Sequence, residues 1–465
     1  MNIVDRLRAM QAQDVPVTGG HTLAYVYDSG LDEADRAGRE AVATYAGSNG
    51  LDPTAFPSLL QMENELVGFA CNLLEAPDTA VGTVTSGGTE SVLLAVQTAR
   101  DGSTASRPNM VIPATAHAAF HKAAHYFGVE ARVVPVGDDF RVDVEAMAAQ
   151  IDRDTVLLVG SAPSYAHGVI DPIEQIAALA REHGVRCHVD ACIGGWVLPY
   201  AARAGRTLPA WTFVVDGVTS ISVDLHKYAY APKGTSILLH RTPELRRPQY
   251  FASADWPGYT MLNSTMQSTK SGGPLAGAWA VVNTIGDAGY LELTRSLLES
   301  VDRLVAGIKA PLHLVAQPDS TLVAFATDES CDVFTLTDEM TRRGWYVQPQ
   351  LSYDDQPPTI HLSVSPATDV GAFLNALGDA TQAAVMAGPL VPDPGIVEFV
   401  QALDADSLTD EDFDGLLAAV GMAGGDGVGM PESMAEINSL LDVASPALRE
   451  ALLVAFLDRL QRPIR

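Results

Sequence analysis

Apolar and polar positions follow two alternating patterns between residues 81 and 240. Short runs of apolar and β-branched residues predict buried strands, and the stretches between them carry one apolar face at helical spacing. The predicted strands are 110–112, 131–136, 156–160 and 185–189, and the predicted helices are 117–127, 144–151 and 172–183. Strands that alternate with helices form βαβ units, so we expect an α/β fold with a mainly parallel sheet covered on both faces. Ligands of such sheets bind beyond the carboxyl ends of the strands.

The regions on either side predict further parts. Helices are expected at 4–11, 33–45, 58–74 and 275–285. After them a smaller αβ domain is expected, with strands 321–326, 345–348 and 359–364 and helices 333–343 and 370–386. Residues 389–394 predict a linker, and helices 434–441 and 448–460 follow in an acidic tail. The pattern therefore predicts an N-terminal segment, a large domain, a small αβ domain and a helical tail, at 1–57, 58–285, 286–388 and 389–465.

Charge and cysteine content narrow the class of protein. The 465 residues carry a net charge of −28, which repels phosphate backbones and anionic lipid headgroups. We therefore expect neither a nucleic-acid partner nor membrane insertion. The four cysteines have no spacing typical of a disulfide framework or a zinc site, and no apolar run is long enough for a signal or a spanning helix. A soluble cytoplasmic protein is expected.

A pair of apolar runs at 218–240 encloses a short polar loop that contains Asp224, His226 and Lys227. Desolvation between buried strands lowers the pKa of an amine, and a neutral amine attacks an aldehyde to form a Schiff base. Lys227 is therefore the candidate nucleophile. The alternative is a solvated lysine at a turn, because most lysines are exposed.

Three other polar features fall where strands of the predicted sheet end. A turn of small residues, Ser86, Gly87, Gly88 and Thr89, precedes a helix and predicts either a phosphate cup or a plain loop, of which the loop is the commoner. His117 follows a strand and either caps the next helix or faces a ligand. Asp190 ends a buried strand, so it needs a hydrogen-bonding or cationic partner such as an arginine or a protonated pyridine nitrogen.

Taken in order, the strings SGGTE at 86–90, HVDAC at 188–192 and DLHK at 224–227, together with His117, resemble the pyridoxal-phosphate enzymes of the group II decarboxylase family. The resemblance is strongest to the sphingosine-1-phosphate lyases within it. It implies a fold-type-I enzyme with a seven-stranded sheet that binds pyridoxal 5'-phosphate as a Schiff base on Lys227. It also implies that Asp190 pairs with the pyridine nitrogen and that the His117 ring stacks on the pyridine. The implied cofactor-binding residues are Ser86, Gly87, Gly88, Thr89, His117, Asp190, Cys192, Asp224, His226, Lys227, Gly272 and Gly273.

The same resemblance implies a homodimer with shared active sites. In the family, the stretch matching 20–27 ends in a tyrosine that reaches the partner's site, and Tyr27 holds that position. The N-terminal segment would thus contribute to both the dimer and the site. The segment 250–277, which includes Gly272 and Gly273, resembles one that a second subunit donates to the cofactor phosphate.

Substrate contacts implied by the resemblance involve Asn49, Asp52, Lys233 and Lys270, besides Tyr27. The family usually has histidine where Asp52 stands and arginine where Lys270 stands. An added anion and the loss of a bidentate donor both disfavour a phosphorylated tail on the substrate. The family counterpart of Lys233 binds substrate phosphate, although here it is equally compatible with a solvated turn.

The expected reaction is carbon–carbon cleavage of a small amine. The substrate, an amino alcohol or a β-hydroxy amino compound, would displace Lys227 and undergo retro-aldol cleavage, with catalysis by Lys227, His117, Asp190 and Tyr27. The alternative is an amino-acid decarboxylase on the same scaffold, because the orientation of the substrate selects which bond breaks. A cofactor-binding regulator without catalysis is a third hypothesis, and the presence of Lys227, Asp190 and His117 argues against it.

Overall fold

A seven-stranded sheet forms the centre of the computed structural model, which describes residues 2–419, 433–461 and 463. The strand order is β1-β7-β6-β5-β4-β2-β3. Strands β3, β2, β4, β5 and β6 are parallel neighbours, whereas β7 runs antiparallel to both β6 and β1. The predicted mainly parallel sheet is therefore confirmed. The strands are Val81–Thr85, Asn109–Pro113, Glu130–Val134, Thr155–Ser161, Arg186–Asp190, Ser220–Val223 and Ser236–His240, numbered β1 to β7.

Helices cover this sheet, and most of them lie where the apolar periodicity predicts them. Helix α8, Gly194–Arg203, was not predicted, because seven of its ten residues are buried and it has no polar face to reveal a helical period. The first nine helices are α1 Ile3–Gln11, α2 Asp32–Thr44, α3 Pro57–Leu73, α4 Gly88–Asp101, α5 Ala119–Phe127, α6 Val144–Ala149, α7 Ile173–His183, α8 and α9 Pro243–Arg246.

A hairpin and a long helix connect the large sheet to a smaller one. Strands β8, Phe251–Ser253, and β9, Met261–Asn263, pair antiparallel. They precede α10, Gly272–Gly307, which continues well past its predicted end through a non-helical residue at Gly286. A short 3₁₀ helix, Arg247–Gln249, leads into the hairpin.

The smaller sheet has the order β10-β11-β13-β12, with all pairs antiparallel. The strand predicted at 345–348 is wrong. Trp345 and Val347 are buried in the core, and this produces the alternation that the prediction used. Pairing with the neighbouring strand begins only at Gln348. The elements are β10 Leu312–Leu314, β11 Leu322–Thr327, α11 Val333–Arg342, β12 Gln348–Gln350, β13 Thr359–Ser363 and α12 Val370–Ala387.

Four more helices, which we call the C-terminal unit, surround a small apolar core of their own. They are α13 Pro394–Ala402, α14 Asp410–Ala419, α15 Ala435–Val443 and α16 Pro446–Leu460, with a 3₁₀ turn at Ala405–Ser407. Only α15 and α16 were predicted. Part of the predicted tail, residues 420–432, 462 and 464–465, lies outside the described residues. The four-part domain division stays a prediction, and within the described ranges no helix is both long and apolar enough to cross a membrane.

Candidate active site

A pocket of about 320 Å³ opens beyond the carboxyl ends of β4, β5 and β6, beside the first turn of α4. This is the location at which parallel α/β sheets bind ligands. The pocket brings together most of the residues that the sequence predicted for a cofactor, namely Ser86, Gly87, Gly88, Thr89, His117, Asp190, Cys192, Asp224, His226 and Lys227.

An ion pair occupies one side of this pocket. The Lys227 ammonium lies 2.9 Å from Asp224 Oδ2, and the two side chains are 18% and 2% exposed. Burial lowers the pKa of Lys227, but the Asp224 carboxylate outweighs that effect, so the net pKa lies above the ordinary value. The expected lowering of this pKa is therefore wrong, because the sequence did not show that the loop folds Asp224 back onto the amine. Burial also opposes ionisation of Asp224, yet Lys227 and His226 hold its pKa below the usual range.

The Asp190 carboxylate ends β5 and is 8% exposed. Its Oδ1 accepts hydrogen bonds from the Cys192 amide at 3.1 Å and the Ser222 hydroxyl at 3.4 Å. Among the described residues Asp190 has no ion pair, so the alternative that it is buried against an arginine is not what the structure shows. Behind it, the His188 ring lies within hydrogen-bond distance of Ser220 and Ser222, and burial lowers the pKa of His188 to about 4. The carboxylate is thus oriented by neutral groups while its charge stays uncompensated.

The turn before α4 gives the pocket its floor. Gly87 adopts a φ of +152°, a conformation that L side chains rarely adopt. A Cβ on Gly88 would lie 2.6 Å from Asp224 Oδ2 and 3.0 Å from Cys192 Sγ. Only glycine leaves this space to a ligand, and the amides of the first helical turn lie beside it.

Glu90 shapes this turn, and our sequence reasoning did not single it out. One carboxylate oxygen accepts from the Ser86 amide at 2.6 Å and the other from the Met266 amide at 2.7 Å. Glu90 stands three residues after the helix-capping position, where an acidic residue commonly bonds back to the preceding turn. That spacing is the signal that could have identified it.

His117 and Tyr165 meet on the opposite side of the pocket. His117 Nδ1 accepts from the Ala119 amide at 3.1 Å, so it does cap the start of α5 while its ring lines the pocket. The Tyr165 ring lies edge-on to His117 at 6.3 Å and stacks on His361 at 4.2 Å. Its hydroxyl donates to Gln348 Oε1 at 2.7 Å. Tyr165 is a second pocket residue to which the sequence gave no role.

Tyr27 lies beside Lys227 of its own chain. Its ring meets the ring of Tyr228 at 5.0 Å, and the Lys233 ammonium lies 5.0 Å from the ring centre. Burial raises the pKa of the Tyr27 phenol and the positive charge of Lys227 opposes that rise. In this single chain the 20–27 stretch packs against the small sheet, where the Ser363 amide of β13 donates to the Leu23 carbonyl. The role of Tyr27 at a partner's site stays a prediction.

Lys233 is exposed, yet its ammonium donates to the backbone carbonyl of Tyr25 at 2.7 Å and to that of His226 at 3.3 Å. Desolvation of the ammonium group, whose end is packed against these carbonyls although the residue as a whole is exposed, and the nearby charge of Lys227 lower the pKa of Lys233 to about 8. It is therefore not a fully solvated turn residue.

The other predicted residues lie apart from this pocket within one chain. Asn49 and Asp52 belong to a neighbouring surface in which Lys270 forms an ion pair with Glu63 at 2.6 Å. Gly272 donates its amide to the Ser48 carbonyl, and Gly273 packs against Val42. Neither glycine lines the pocket that contains Lys227.

The pocket fits pyridoxal phosphate. Gly88 leaves room beside the α4 amides for a phosphate, and Asp190 offers an unpaired carboxylate to a protonated ring nitrogen. Asp224 Oδ1 is buried with no hydrogen-bond partner among the described residues, and Lys227 supplies the amine. The expected cofactor is thus matched by the donor set.

Comparison with known proteins identifies two matching families. Residues 37–328 match the pyridoxal-dependent decarboxylase conserved domain, and residues 394–459 match a domain described as the C-terminal putative HTH domain of pyridoxal-dependent enzymes. A sphingosine-1-phosphate lyase from Arabidopsis thaliana is 40% identical over 74% of this chain and 64% of its own length. A probable L-tyrosine/L-aspartate decarboxylase from Methanothermobacter thermautotrophicus is 32% identical over 70% of this chain and 88% of its own length.

Among solved structures, a sphingosine-1-phosphate lyase from Burkholderia pseudomallei is 34% identical, with a TM-score of 0.77 over 83% of this chain and 91% of that chain. The similarity to a glutamate decarboxylase from Lactobacillus brevis, at 21% identity and a TM-score of 0.74, supports the fold. The fold-type-I prediction and the pyridoxal phosphate cofactor are confirmed. The chain is a member of the pyridoxal-dependent decarboxylase family.

Proposed function

We propose that this protein is a pyridoxal-phosphate-dependent carbon–carbon lyase that cleaves an amino alcohol or a β-hydroxy amino substrate. The observation that carries the proposal is the convergence of Lys227, Asp190 and His117 on one pocket. It is supported by the 34% identity that extends over 91% of the Burkholderia lyase structure. The matched part of the Arabidopsis lyase is 64% of that protein, so the activity is inferred for this chain from its own site.

The chain's own residues suit the proton transfers of such a reaction. Lys227 would hold the cofactor through Nζ, and once the substrate amine took its place the freed Nζ could act as a base, with Asp224 Oδ2 at 2.9 Å stabilising its protonated form. Asp190 would hold the ring nitrogen of the cofactor in its protonated form, and the His117 ring, anchored through Nδ1, would contact one face of the cofactor ring. Pyridoxal phosphate, when bound, supplies an electron sink for the carbon that carries the substrate amine.

The neighbouring surface that contains Asp52 and Lys270 does not resemble a phosphate site, and the pocket itself offers few cations. Lys270, which replaces the arginine usual in the family, is neutralised by Glu63 at 2.6 Å. Asp52 adds a negative charge, and its pKa is lowered by hydrogen bonds from Thr54. Lys233 is the one described cation near Lys227, and two carbonyls already hold it. We therefore propose an amine without a phosphorylated tail, bound by Tyr27 and Lys233.

We also propose a homodimer in the cytoplasm. The β8–β9 hairpin exposes Phe251 and Leu262, and Trp256 and Tyr259 are exposed between them, as at a surface that another subunit covers. Within this proposal, Gly272, Gly273, Asn49 and Lys270 would serve a neighbouring subunit. All four cysteines are free, which suits a reducing compartment.

A second candidate is an amino-acid decarboxylase, which the 32% identity to the Methanothermobacter protein over 88% of its length favours. The deciding experiment incubates the cofactor-loaded protein with β-hydroxy amino acids, amino alcohols and simple amino acids, and measures aldehyde and carbon dioxide together. Aldehyde without carbon dioxide supports the lyase. Carbon dioxide without aldehyde would replace it with the decarboxylase and leave the role of Lys227 intact.

A further inference from the structure

A second cavity, which we call the side chamber, adjoins the cofactor pocket. It encloses about 680 Å³ and shares His117 and Tyr165 with that pocket. Much of its wall is apolar, and no lysine or arginine occurs among the described residues that line it. Such a wall suits a hydrocarbon or aromatic substituent and gives no site for a phosphate.

The hairpin between β12 and β13 forms one wall of the side chamber through Gln350, Leu351, Tyr353 and Gln356. Its tip is a tight turn in which Tyr353 and Gln356 exchange both backbone hydrogen bonds. Its base is joined to the cofactor side, because the Tyr165 hydroxyl donates to Gln348 Oε1 and Gln350 Nε2 donates to the Ala166 carbonyl at 3.1 Å. The position of this hairpin thus sets the distance between the chamber wall and His117.

The C-terminal unit binds this hairpin through hydrogen bonds to the backbone of Ser352. Asp442 Oδ1 accepts from the Ser352 amide at 2.6 Å, and the Ser352 carbonyl accepts from Arg449 Nη1 at 3.1 Å. The two side chains are 18% and 19% exposed. Arg449 also donates to the carbonyls of Asp442 and Ala444, so it is held in one orientation. Both backbone groups of a single hairpin residue are therefore bound by α15 and α16.

The other end of α15 is fixed to the small αβ region. Asp338, on α11, accepts from the amides of Met434 and Ala435 and from the Ser433 hydroxyl. Helix α15 therefore spans from α11 to the hairpin. Since both ends of α15 carry charge-assisted hydrogen bonds, the helix holds the hairpin at a fixed distance from α11.

The composition of the unit does not suit a nucleic-acid partner. Residues 394–459 contain thirteen acidic residues and two arginines, one of which is Arg449. A surface that binds phosphates needs the opposite charge. The contacts of α15 and α16 through Asp442 and Arg449 are instead with the catalytic part of the same chain.

We propose that the C-terminal unit is a positioning element of the active site, in which Asp442 and Arg449 hold Ser352 and so fix the wall of a side chamber that takes the apolar substituent of the substrate amine. The inference rests on the proposed function in that the ligand is an amine that reacts at Lys227. It adds a substrate class and assigns a role to residues far from the chemistry.

The test titrates cofactor-loaded protein with straight-chain alkylamines from methylamine to octylamine and follows the change in cofactor absorbance when the amine replaces Lys227. The wild-type affinity is expected to rise by up to about fourfold per methylene group while the chain extends into the chamber. In Asp442→Ala the rise in affinity per methylene group should fall to half or less of the wild-type rise. The affinity for methylamine should stay within about twofold of wild type. Asp442→Asn keeps an oxygen acceptor and should restore most of the increment.

Glu450→Ala is the matched control, because Glu450 is an exposed acid next to Arg449 on the same helix. It should titrate as wild type does. Hydrogen exchange of the segment 350–358 should accelerate in Asp442→Ala and not in the control. If Asp442→Ala loses its fold, Ser352→Pro removes the same hydrogen bond from the hairpin side and leaves α15 and α16 intact.

Two results would overturn the proposal: wild-type increments in Asp442→Ala, or an equal loss of affinity for every amine including methylamine. A wild-type protein whose affinity ignores chain length would overturn the role of the chamber. These outcomes differ from failure of the lyase proposal, since amine binding needs no turnover. A protein that shows the chain-length dependence but releases no aldehyde would disprove the lyase and keep this inference.

Discussion

The Lys227 ammonium and the Asp224 carboxylate form a buried ion pair, with 2.9 Å between Nζ and Oδ2. The raised pKa of Lys227 means that its contribution to stability is fully present below 10.5, the ordinary lysine value, and is lost as pH rises through the folded value. The lowered pKa of Asp224 means that its contribution is present above 3.8 and is lost as pH falls through the folded value. Between those limits the pair keeps the amine protonated until a cofactor or substrate arrives.

Replacing Lys227 by alanine should abolish covalent capture of the cofactor. We expect borohydride reduction of the loaded wild type to leave a cofactor-derived mass on the peptide containing Lys227, and no such mass in Lys227→Ala. Turnover should fall by about a thousandfold or more, because the reacting nucleophile is removed. Lys122→Ala, which removes an exposed lysine on α5, is the control and should behave as wild type. Labelling of another lysine in the wild type would contradict the assignment.

Replacing Asp224 by asparagine should change how cofactor capture depends on pH. In the wild type the rate of incorporation should climb between pH 7 and about 10, because the ion pair leaves few amines neutral. In Asp224→Asn burial acts on Lys227 without its counter-charge, so its pKa should fall and the profile should flatten at the alkaline end. Stopped-flow absorbance of the apoprotein mixed with cofactor measures both profiles. Identical profiles would show that Asp224 does not control the amine.

A methyl group at position 88 should expel the cofactor. Because a Cβ there would stand 2.6 Å and 2.8 Å from the two Asp224 oxygens, Gly88→Ala should lower cofactor affinity by about tenfold or more and destabilise the fold by about 1–3 kcal/mol. Gly68→Ala is the control, since a Cβ at this exposed position of α3 meets nothing within 4 Å. That change should stabilise the helix by up to about 1 kcal/mol. Equilibrium dialysis and thermal unfolding distinguish the two variants.

Neutralising Asp190 should separate cofactor binding from catalysis. Asp190→Asn retains the shape of the side chain but cannot balance a charged ring nitrogen, so turnover should fall by about a hundredfold or more while much of the cofactor stays bound. Asp154→Asn is the control, because Asp154 is equally buried but lies at the amino end of β4, where it accepts from the Ser106 amide. It should cost stability without reducing the turnover of folded protein. Equal turnover losses in both variants would contradict a specific role for Asp190.

Sequence patterns predicted the centre of the site because its residues stand at the ends of buried strands. Asp190 closes β5 and Lys227 follows β6, so the apolar runs fixed both positions before any contact was known. The direction of the pKa shift of Lys227 was mispredicted, because it depends on how a short turn brings Asp224 against the amine. The periodicity of apolar residues carries no information about that turn.

Long-range contacts account for most of what the sequence did not predict. Ser352 and Arg449 are 97 residues apart in the chain and meet through one backbone carbonyl, which leaves no trace in the identity of Ser352. Glu90 likewise bonds the amide of Met266, 176 residues away. The own-chain position of Tyr27 depends on packing against the small sheet. Short-range patterns therefore identified the reacting residues. The residues that hold them in place were identified only from the tertiary structure.

The buried Asp338 carboxylate depends on hydrogen-bond donors that are synthesised about a hundred residues after it. This carboxylate is 7% exposed, and its hydrogen-bond donors come from residues 433–435. Until the ribosome has delivered that segment, α11 must either leave the charge in water or bury it without partners, and the second choice costs several kcal/mol. The small αβ region should consequently reach its final packing only after residues 433–435 have been synthesised. Assembly of the active-site wall is thereby coupled to the folding of α15, which lies about a hundred residues downstream of α11.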